Sequence, residues 1–174
     1  MILFLALPFT ACSDLTPGGP VEEGASLLTG VKVYEVKNNR FRWKLVSASA
    51  RFEDGETRVY FDTPKVLLYD DEALSSELQA ETGFLNMAAK EAQLERNVIV
   101  TSKKDGMTLL TSRLFFSSKK DRIWTDDPVV IHKGDTITHG RGFTAKPDLS
   151  EIEITRQETK TRRDAPGRKN NGGR

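Results

Sequence analysis

The sequence predicts an all-β fold in which antiparallel strands form a rolled sheet, and two observations support this prediction. Short apolar runs alternate with turn residues along most of the chain, from Leu28 to Thr155. These runs recur in the same order, with anchors at Pro64, Asn97 and Pro128 that lie about thirty residues apart. Each copy is two strands long, and two strands cannot bury a hydrophobic face alone, so the copies must pack on one another.

Strong turn signals separate the predicted strands. The segments Leu28–Val36 and Phe41–Leu45 are predicted to form a hairpin around Asn38 and Asn39, because asparagine tolerates a positive φ angle. Three further hairpin turns are predicted at residues 103–106, 119–122 and 132–135.

Two stretches depart from simple alternation. The apolar phase changes between Leu45 and Val46, which predicts a bulge or a bend at that point. Residues 84–94 are rich in alanine, lysine, glutamate and leucine, which favour helices. The repeat nevertheless requires a strand at this place, so we predict a strand there.

Length and charge limit the domain count and the function classes. A chain of 174 residues has room for one domain with tails at both ends. The formal net charge of +1 argues against a nucleic-acid-binding protein. Residues 156–174 contain seven Lys or Arg and two Asp or Glu, a net charge of +5 that leaves −4 for the rest. We expect this basic tail to be disordered, either solvated or in contact with anionic headgroups.

Residues 1–12 resemble a lipoprotein signal segment. The apolar run at 1–11 is too short to span a bilayer as a helix, and it ends in Phe-Thr-Ala-Cys-Ser. We therefore expect Cys12 to be lipidated, although Phe9 stands where such sites usually have leucine and no basic residue precedes the run. The alternative is an apolar N-terminus with a cysteine placed by chance. Residues 13–27, rich in glycine, proline and acids, are expected to form a flexible tether.

No residue pattern is typical of an enzyme or of a metal site. His132 and His139 are predicted in or beside turns and lack the spacing of metal ligands. Asp126 and Asp127 could act as paired carboxylates, but directly before Pro128 they are more typical of a turn. We predict no catalytic residue, no metal and no cofactor.

Small residues recur at equivalent places in the repeat, and two explanations remain open. They could leave space inside the roll for acyl chains, each buried methylene of which contributes about 0.8 kcal/mol. They could instead only permit tight packing between twisted strands. The residues are Ala48, Ala80, Gly83, Thr111, Gly140 and Gly142.

The sequence resembles the LptC family of periplasmic lipopolysaccharide-export proteins, which have the OstA-like β-jellyroll repeat. The resemblance covers about residues 28–155, and the order and spacing of several segments support it more than any one motif does. These segments are FRWKLVSA at 41–48, LERNV at 94–98, TLLTS at 108–112, IWTDDPV at 123–129 and GDTITHGRGF at 134–143.

This resemblance implies a single twisted, open β-jellyroll over residues 28–155. Such a domain would be held at the inner membrane and would receive lipopolysaccharide from the LptF/LptG-like periplasmic domains of an ABC transporter. It would then pass the lipid to an LptA-like bridge protein by edge-to-edge strand pairing. Many members have an N-terminal transmembrane helix where this chain has a lipoprotein-like start. The partner-binding edges implied are Val31, Val33, Val36, Ile137, Gly140, Gly142, Phe143, Ile152 and Ile154.

Alternation along each strand indicates which side chains would line the interior and contact lipid A acyl chains. Two other functions stay open. An enzyme acting on envelope polysaccharide would need a carboxylate pair in one cleft, and a purely structural scaffold would have a filled core. The predicted lipid-binding residues are Trp43, Leu45, Ala48, Phe61, Val66, Leu78, Ala80, Val98, Val100, Leu109, Leu114, Phe116, Ile123, Val129 and Ile131.

Overall fold

The computed structural model describes residues 25–53 and 57–162, and every regular element in these ranges is a β-strand. The predicted signal segment with Cys12, most of the tether and the end of the basic tail lie outside the described residues. The strands are Ala25–Lys37 (β1), Arg40–Glu53 (β2), Arg58–Asp62 (β3), Lys65–Asp70 (β4), Ala73–Gln79 (β5), Thr82–Asn86 (β6), Glu91–Ser102 (β7), Thr108–Ser117 (β8), Arg122–Lys133 (β9), Thr136–Ala145 (β10) and Glu153–Arg162 (β11).

The eleven strands form one antiparallel sheet that bends into two halves. Its order is β11-β10-β9-β8-β7-β5-β4-β2-β3-β6, with β1 on β2 and β6 also on β7. Strand β2 pairs with β4 through Trp43–Val46 and with β3 through Ser49–Phe52. Strand β7 divides in the same way between β6 and β5. We call the half with β4 and β5 half I, and the half with β3 and β6 half II.

The two halves enclose one hydrophobic core, as the apolar alternation predicts. Half I contributes Leu45, Val66, Leu68, Leu78, Val100, Leu109 and Ile131, and half II contributes Ala50, Val59, Phe61, Leu85, Leu94, Leu114, Ile123 and Phe143. The predicted all-β jellyroll with antiparallel strand repeats is therefore confirmed.

A line of backbone irregularities separates the halves, and the three sequence anchors lie on it. Pro64 stands between β3 and β4, where Thr63 has a φ angle of 48°. Asn97 has a φ angle of 49° at the register shift between β7 and β8. Pro128 pairs with Arg141 at the shift between β9 and β10. The chain also crosses the bend between these anchors, for example at the break between β5 and β6 and at the register shift of β8 between Leu110 and Phe115. One repeat of the sequence therefore spans two crossings of the bend.

Strand β2 passes from half I to half II further along its length than the sequence predicts. Ser47 is still buried, and the phase of burial changes between Ser47 and Ala50. The Ser47 hydroxyl donates to the carbonyl oxygen of Asp62 at 2.6 Å and lies 2.7 Å from that of Ser49. Because the polar Ser47 faces the interior, the alternation of apolar residues alone predicts the bend too early in the strand. Ala48, predicted to face inward, is exposed.

The segment 84–94 is not one strand, so that prediction is wrong. Strand β6 ends at Asn86, a turn follows, and β7 begins at Glu91. The Asn86 side chain accepts a hydrogen bond from the Ala89 amide at 2.8 Å, and the Lys90 amide donates to the Asn86 carbonyl at 2.9 Å. An asparagine that satisfies the backbone of a turn explains why the helix-forming composition has no effect here.

The ordered domain extends beyond the predicted limits of 28 and 155. Strand β1 begins at Ala25, and β11 continues to Arg162, inside the stretch predicted as a disordered tail. Backbone pairing of β11 with β10, from Thr144↔Glu153 to Thr136↔Arg162, accounts for this order. Such pairing needs no apolar pattern, so the composition of the tail gives no signal for it.

An ion-pair cluster on β5 predicts acid sensitivity. Hydrogen bonds from Lys65, at 2.6 Å, and from Lys103, at 3.0 Å, lower the pKa of Glu77 from 4.5 to about 2. A lowered carboxyl pKa stabilises the fold above the unfolded value, and this contribution is lost as the pH falls from about 4.5 to about 2. Glu77→Gln should therefore be less stable than the wild type at pH 6, and the difference should shrink towards pH 2. Urea unfolding across this range checks it, with the exposed Asp135→Asn as the charge control.

Candidate functional site

The predicted interior residues face the interior at every position except Ala48. Three of them, Trp43, Ala80 and Phe116, are partly buried and pack against the core. The other eleven are buried within it, namely Leu45, Phe61, Val66, Leu78, Val98, Val100, Leu109, Leu114, Ile123, Val129 and Ile131.

The recurring glycines lie where a neighbouring strand approaches closely and leaves no room for a side chain. A Cβ atom on Gly83 would lie 2.7 Å from the Gln93 carbonyl oxygen, and one on Gly140 would lie 2.6 Å from the Ile154 Cγ2 atom. On Gly142, which has a φ angle of 77°, it would lie 2.8 Å from the Thr155 Oγ1 atom. Of the two explanations for these glycines, tight packing of neighbouring strands is the correct one.

The interior meets solvent at a pocket of about 360 Å³, which we call the mouth. The β1–β2 hairpin of half I lies on one side, and the turns that follow β6 and β8 in half II lie on the other. Its apolar lining includes Val33, Trp43, Leu85, Met87 and Phe116. A concave apolar surface with a few polar groups is the usual form of a ligand site, and the volume is within the usual range.

The Glu35 carboxylate connects the two sides of the mouth. It accepts hydrogen bonds from the Trp43 indole and the Ser118 hydroxyl, both at 2.8 Å, and Lys90 Nζ lies 3.5 Å away. Burial alone raises the pKa of Glu35, but the hydrogen bonds from Ser118, Trp43 and Lys90 outweigh burial and hold the pKa below its ordinary value. Glu35 is therefore ionised at neutral pH and bridges half I to half II.

Only part of this site could be predicted from the sequence. Trp43 and Phe116 are among the predicted lipid-binding residues, whereas Val33 is predicted at a partner edge. Glu35, Lys90 and Ser118 are absent from the prediction because they come from three separate elements and meet only in the folded chain. Met87 is an apolar side chain in a turn and is 56% exposed, which only the structure reveals because the sequence predicted a strand there.

The free strand edges differ from those expected. Among the described residues, β1 pairs only with β2 and β11 pairs only with β10, so each has one edge without a partner strand from this part of the chain. The predicted edge residues Val31, Val33 and Val36 lie on β1, Ile154 lies on β11 and Ile152 directly precedes it. Strand β10 is paired on both sides because β11 covers it, so Ile137, Gly140, Gly142 and Phe143 lie inside the sheet.

One member of the candidate carboxylate pair, Asp127, is held in an ion pair with Arg113. Asp127 accepts two hydrogen bonds from the Arg113 guanidinium, both at 2.9 Å, and one from the Ser112 hydroxyl at 2.7 Å. The bonds from Arg113 and Ser112 lower the pKa of Asp127 to about 2, so it cannot hold a proton for acid catalysis near neutral pH. Within the described ranges, no group of three or more His, Cys, Asp or Glu residues could hold a metal ion.

Comparison with known proteins decides the family. Residues 40–162 match the family described as "Lipopolysaccharide-assembly, LptC-related". The chain belongs to this family. The match covers most of the jellyroll, from the start of β2 to the end of β11, and so includes most of the residues that surround the mouth of this LptC-related protein.

A solved structure has the same fold. It is described as LptH, the LptA homologous periplasmic component of the conserved lipopolysaccharide transport device from Pseudomonas aeruginosa. The TM-score is 0.52 at 11% identity, and the alignment covers 66% of this LptC-related chain and 82% of LptH. No curated protein matches the sequence. Among the described residues, no helix is long and apolar enough to cross a membrane.

Proposed function

We propose that this LptC-family chain is a periplasmic component of lipopolysaccharide export that binds lipid A acyl chains between the two halves of its jellyroll. The observation that carries the proposal is the mouth, an apolar opening onto the core of a jellyroll that belongs to the lipopolysaccharide-assembly family. LptH, which has this fold, is itself described as a component of a lipopolysaccharide transport device.

The mouth gives an acyl chain a direct route to the apolar interior. Val33 and Trp43 on half I face Leu85 and Phe116 on half II, and all four pack in or against the core. A chain that enters between them would reach the predicted lining residues by parting the two halves at their open end. Each methylene that leaves water contributes about 0.8 kcal/mol, which favours this burial.

The free edges of β1 and β11 offer separate docking sites for the protein that delivers the lipid and the protein that receives it. We propose that the edge of β1 pairs with the periplasmic domains of an LptF/LptG-like ABC transporter and that the edge of β11 pairs with an LptA-like bridge protein. An unpaired edge is a liability in isolation, and addition of a partner strand satisfies its backbone groups. Leu27, Leu28, Tyr34 and Val36 give β1 exposed apolar side chains that such a partner would cover.

Capture by a photo-crosslinking amino acid tests the two edges. Placed at Val31 on β1, it should capture the transporter domain, and placed at Ile154 on β11 it should capture the bridge protein. Gln79 is the control, because it is exposed but lies on β5, which is paired on both sides. Capture of the same partner from all three positions would contradict edge-specific docking.

For the anchor, we propose that a lipidated Cys12 holds the chain at the inner membrane through the segment 13–24.

The runner-up function is a structural scaffold that binds no lipid. The single cluster of buried side chains favours it, because core residues such as Leu45, Leu94 and Leu114 are at most 5% exposed. For an enzyme acting on polysaccharide, the pairing of Asp127 with Arg113 gives no support.

Depletion of the chain in its own cells tests the transport function. Newly made lipopolysaccharide should then accumulate in the inner membrane, as measured by membrane fractionation after a pulse label, and a wild-type copy should restore delivery to the surface. Unchanged delivery after full depletion would contradict a transport function. A scaffold would instead disturb the envelope without holding the lipid at the inner membrane.

A further inference from the structure

A basic pocket adjoins the mouth and shares part of its wall. This pocket measures about 450 Å³ and is lined by four cations, Lys37, Arg42, Lys90 and Lys119, against one carboxylate, Glu35. Glu35, Lys90 and Ser118 line both pockets. An apolar opening with a cationic rim matches an amphiphile that has an anionic headgroup.

The cations of this rim are incompletely neutralised. Arg42 forms an ion pair with Asp121 at 3.3 Å, and Lys90 approaches Glu35 at 3.5 Å. Lys37 and Lys119 have no ion-pair partner in the part of the chain that the structure describes. The rim therefore has positive charge available for an anion that carries more than one negative charge.

Glu35 already occupies the position that such an anion would take. Its carboxylate accepts from Ser118 Oγ at 2.8 Å and faces Lys90 Nζ at 3.5 Å, and it is held from behind by the Trp43 indole at 2.8 Å. A hydroxyl and an ammonium group are donors that a phosphate also uses. A phosphate monoester carries about −1.5 to −2 charge at neutral pH and would compete well with a single carboxylate.

We propose that the rim is a headgroup subsite for a phosphorylated glycolipid, in which a phosphate replaces the Glu35 carboxylate on Lys90 and Ser118. This inference rests on the proposed function, because it needs the acyl chains of the same lipid in the mouth. The exchange has a structural consequence. Glu35 on β1 bridges to the turns after β6 and β8, so its release removes a bond that holds the two halves together at the mouth.

Fluorescence of Trp43 measures the binding directly. The chain has two tryptophans, so Trp124→Phe leaves Trp43, which donates to Glu35, as the single reporter. The full-length chain in dodecyl maltoside is titrated with lipid A that carries two phosphates, with the same lipid after removal of both phosphates, and with inorganic phosphate alone. The proposal predicts that phosphorylated lipid A binds more tightly than the dephosphorylated lipid. Millimolar inorganic phosphate, which lacks acyl chains, should leave the Trp43 emission unchanged.

Substitutions identify the subsite. Lys37→Met with Lys119→Met, at two rim positions that do not line the mouth, should weaken binding of phosphorylated lipid A about tenfold and leave binding of the dephosphorylated lipid unchanged. The control is Lys32→Met with Lys104→Met, which removes the same charge from exposed positions outside the mouth. Glu35→Gln should bind phosphorylated lipid A about threefold tighter, because the competing charge is gone.

The outcomes separate this inference from the proposed function. If the wild type binds both lipids equally, and the lysine variants do the same, the headgroup subsite is wrong while lipid binding stands. If inorganic phosphate alone binds at the rim as tightly as the lipid, the commitment to an amphiphile is wrong. If neither form of lipid A changes the Trp43 emission, the proposed function itself fails.

Discussion

Gly83→Val should destabilise the folded domain by about 3 kcal/mol, because there is no room for a side chain at this position. A Cβ atom would lie 2.7 Å from the Gln93 carbonyl oxygen and 2.9 Å from the Leu94 Cδ2 atom. The first contact is with backbone of the paired strand β7, which cannot move without breaking the β6–β7 ladder. Urea unfolding of the full-length chain measures the change.

Gly106→Ala is the matched control for this prediction. A Cβ atom on Gly106 has nothing within 4 Å, but the φ angle is 69°. The substitution should therefore cost only the backbone strain, about 1 kcal/mol. If the two substitutions lowered the free energy of unfolding equally, the close approach of β7 would not be the reason that β6 has a glycine at position 83.

Leu109→Ala should cost about 2–5 kcal/mol, because it opens a cavity in the common core of both halves. Leu109 is fully buried and pairs across to Val100 on β7 and to Ile131 on β9. Leu110 is the same residue type at the next position, faces outward and is 36% exposed. Leu110→Ala should cost less than about 1 kcal/mol, and chemical denaturation of both variants checks the difference. Similar costs would show that the core does not run through β8.

Alternation was enough to predict a rolled antiparallel sheet and, except at Ala48, its interior face, whereas the jellyroll was implied by the resemblance to the LptC family. Val98, Val100, Leu109 and Leu114 are buried where the period of two requires it, because each half has one face on the core. Turn residues were equally informative, since the predicted turns at Asn38–Asn39, 103–106, 119–122 and 132–135 all separate consecutive strands. These signals are local, and a single sequence contains them in full.

Features that depend on distant residues could not be predicted in this way. Ser47 takes an inward place at the bend because the carbonyl of Asp62 accepts its hydroxyl, a contact across 15 positions. The mouth joins Glu35 to Ser118 across 83 positions. Strand β11 is held by backbone pairing to β10, for which side-chain composition gives no signal. In each case the partner that determines the position is remote in sequence.

The central claim is that the acyl chains of lipopolysaccharide lie between the two halves, and neighbouring phenylalanines on β8 allow the most direct test. Phe116 lines the mouth, whereas Phe115 is stacked on Trp124 with ring centroids 5.6 Å apart and does not line it. Benzoylphenylalanine is placed at each position in the full-length chain, which is expressed in cells that make lipopolysaccharide and then irradiated. We predict a lipopolysaccharide adduct at Phe116 and none at Phe115. An adduct at Phe115 alone, or at neither position in a folded and exported chain, would contradict the claim.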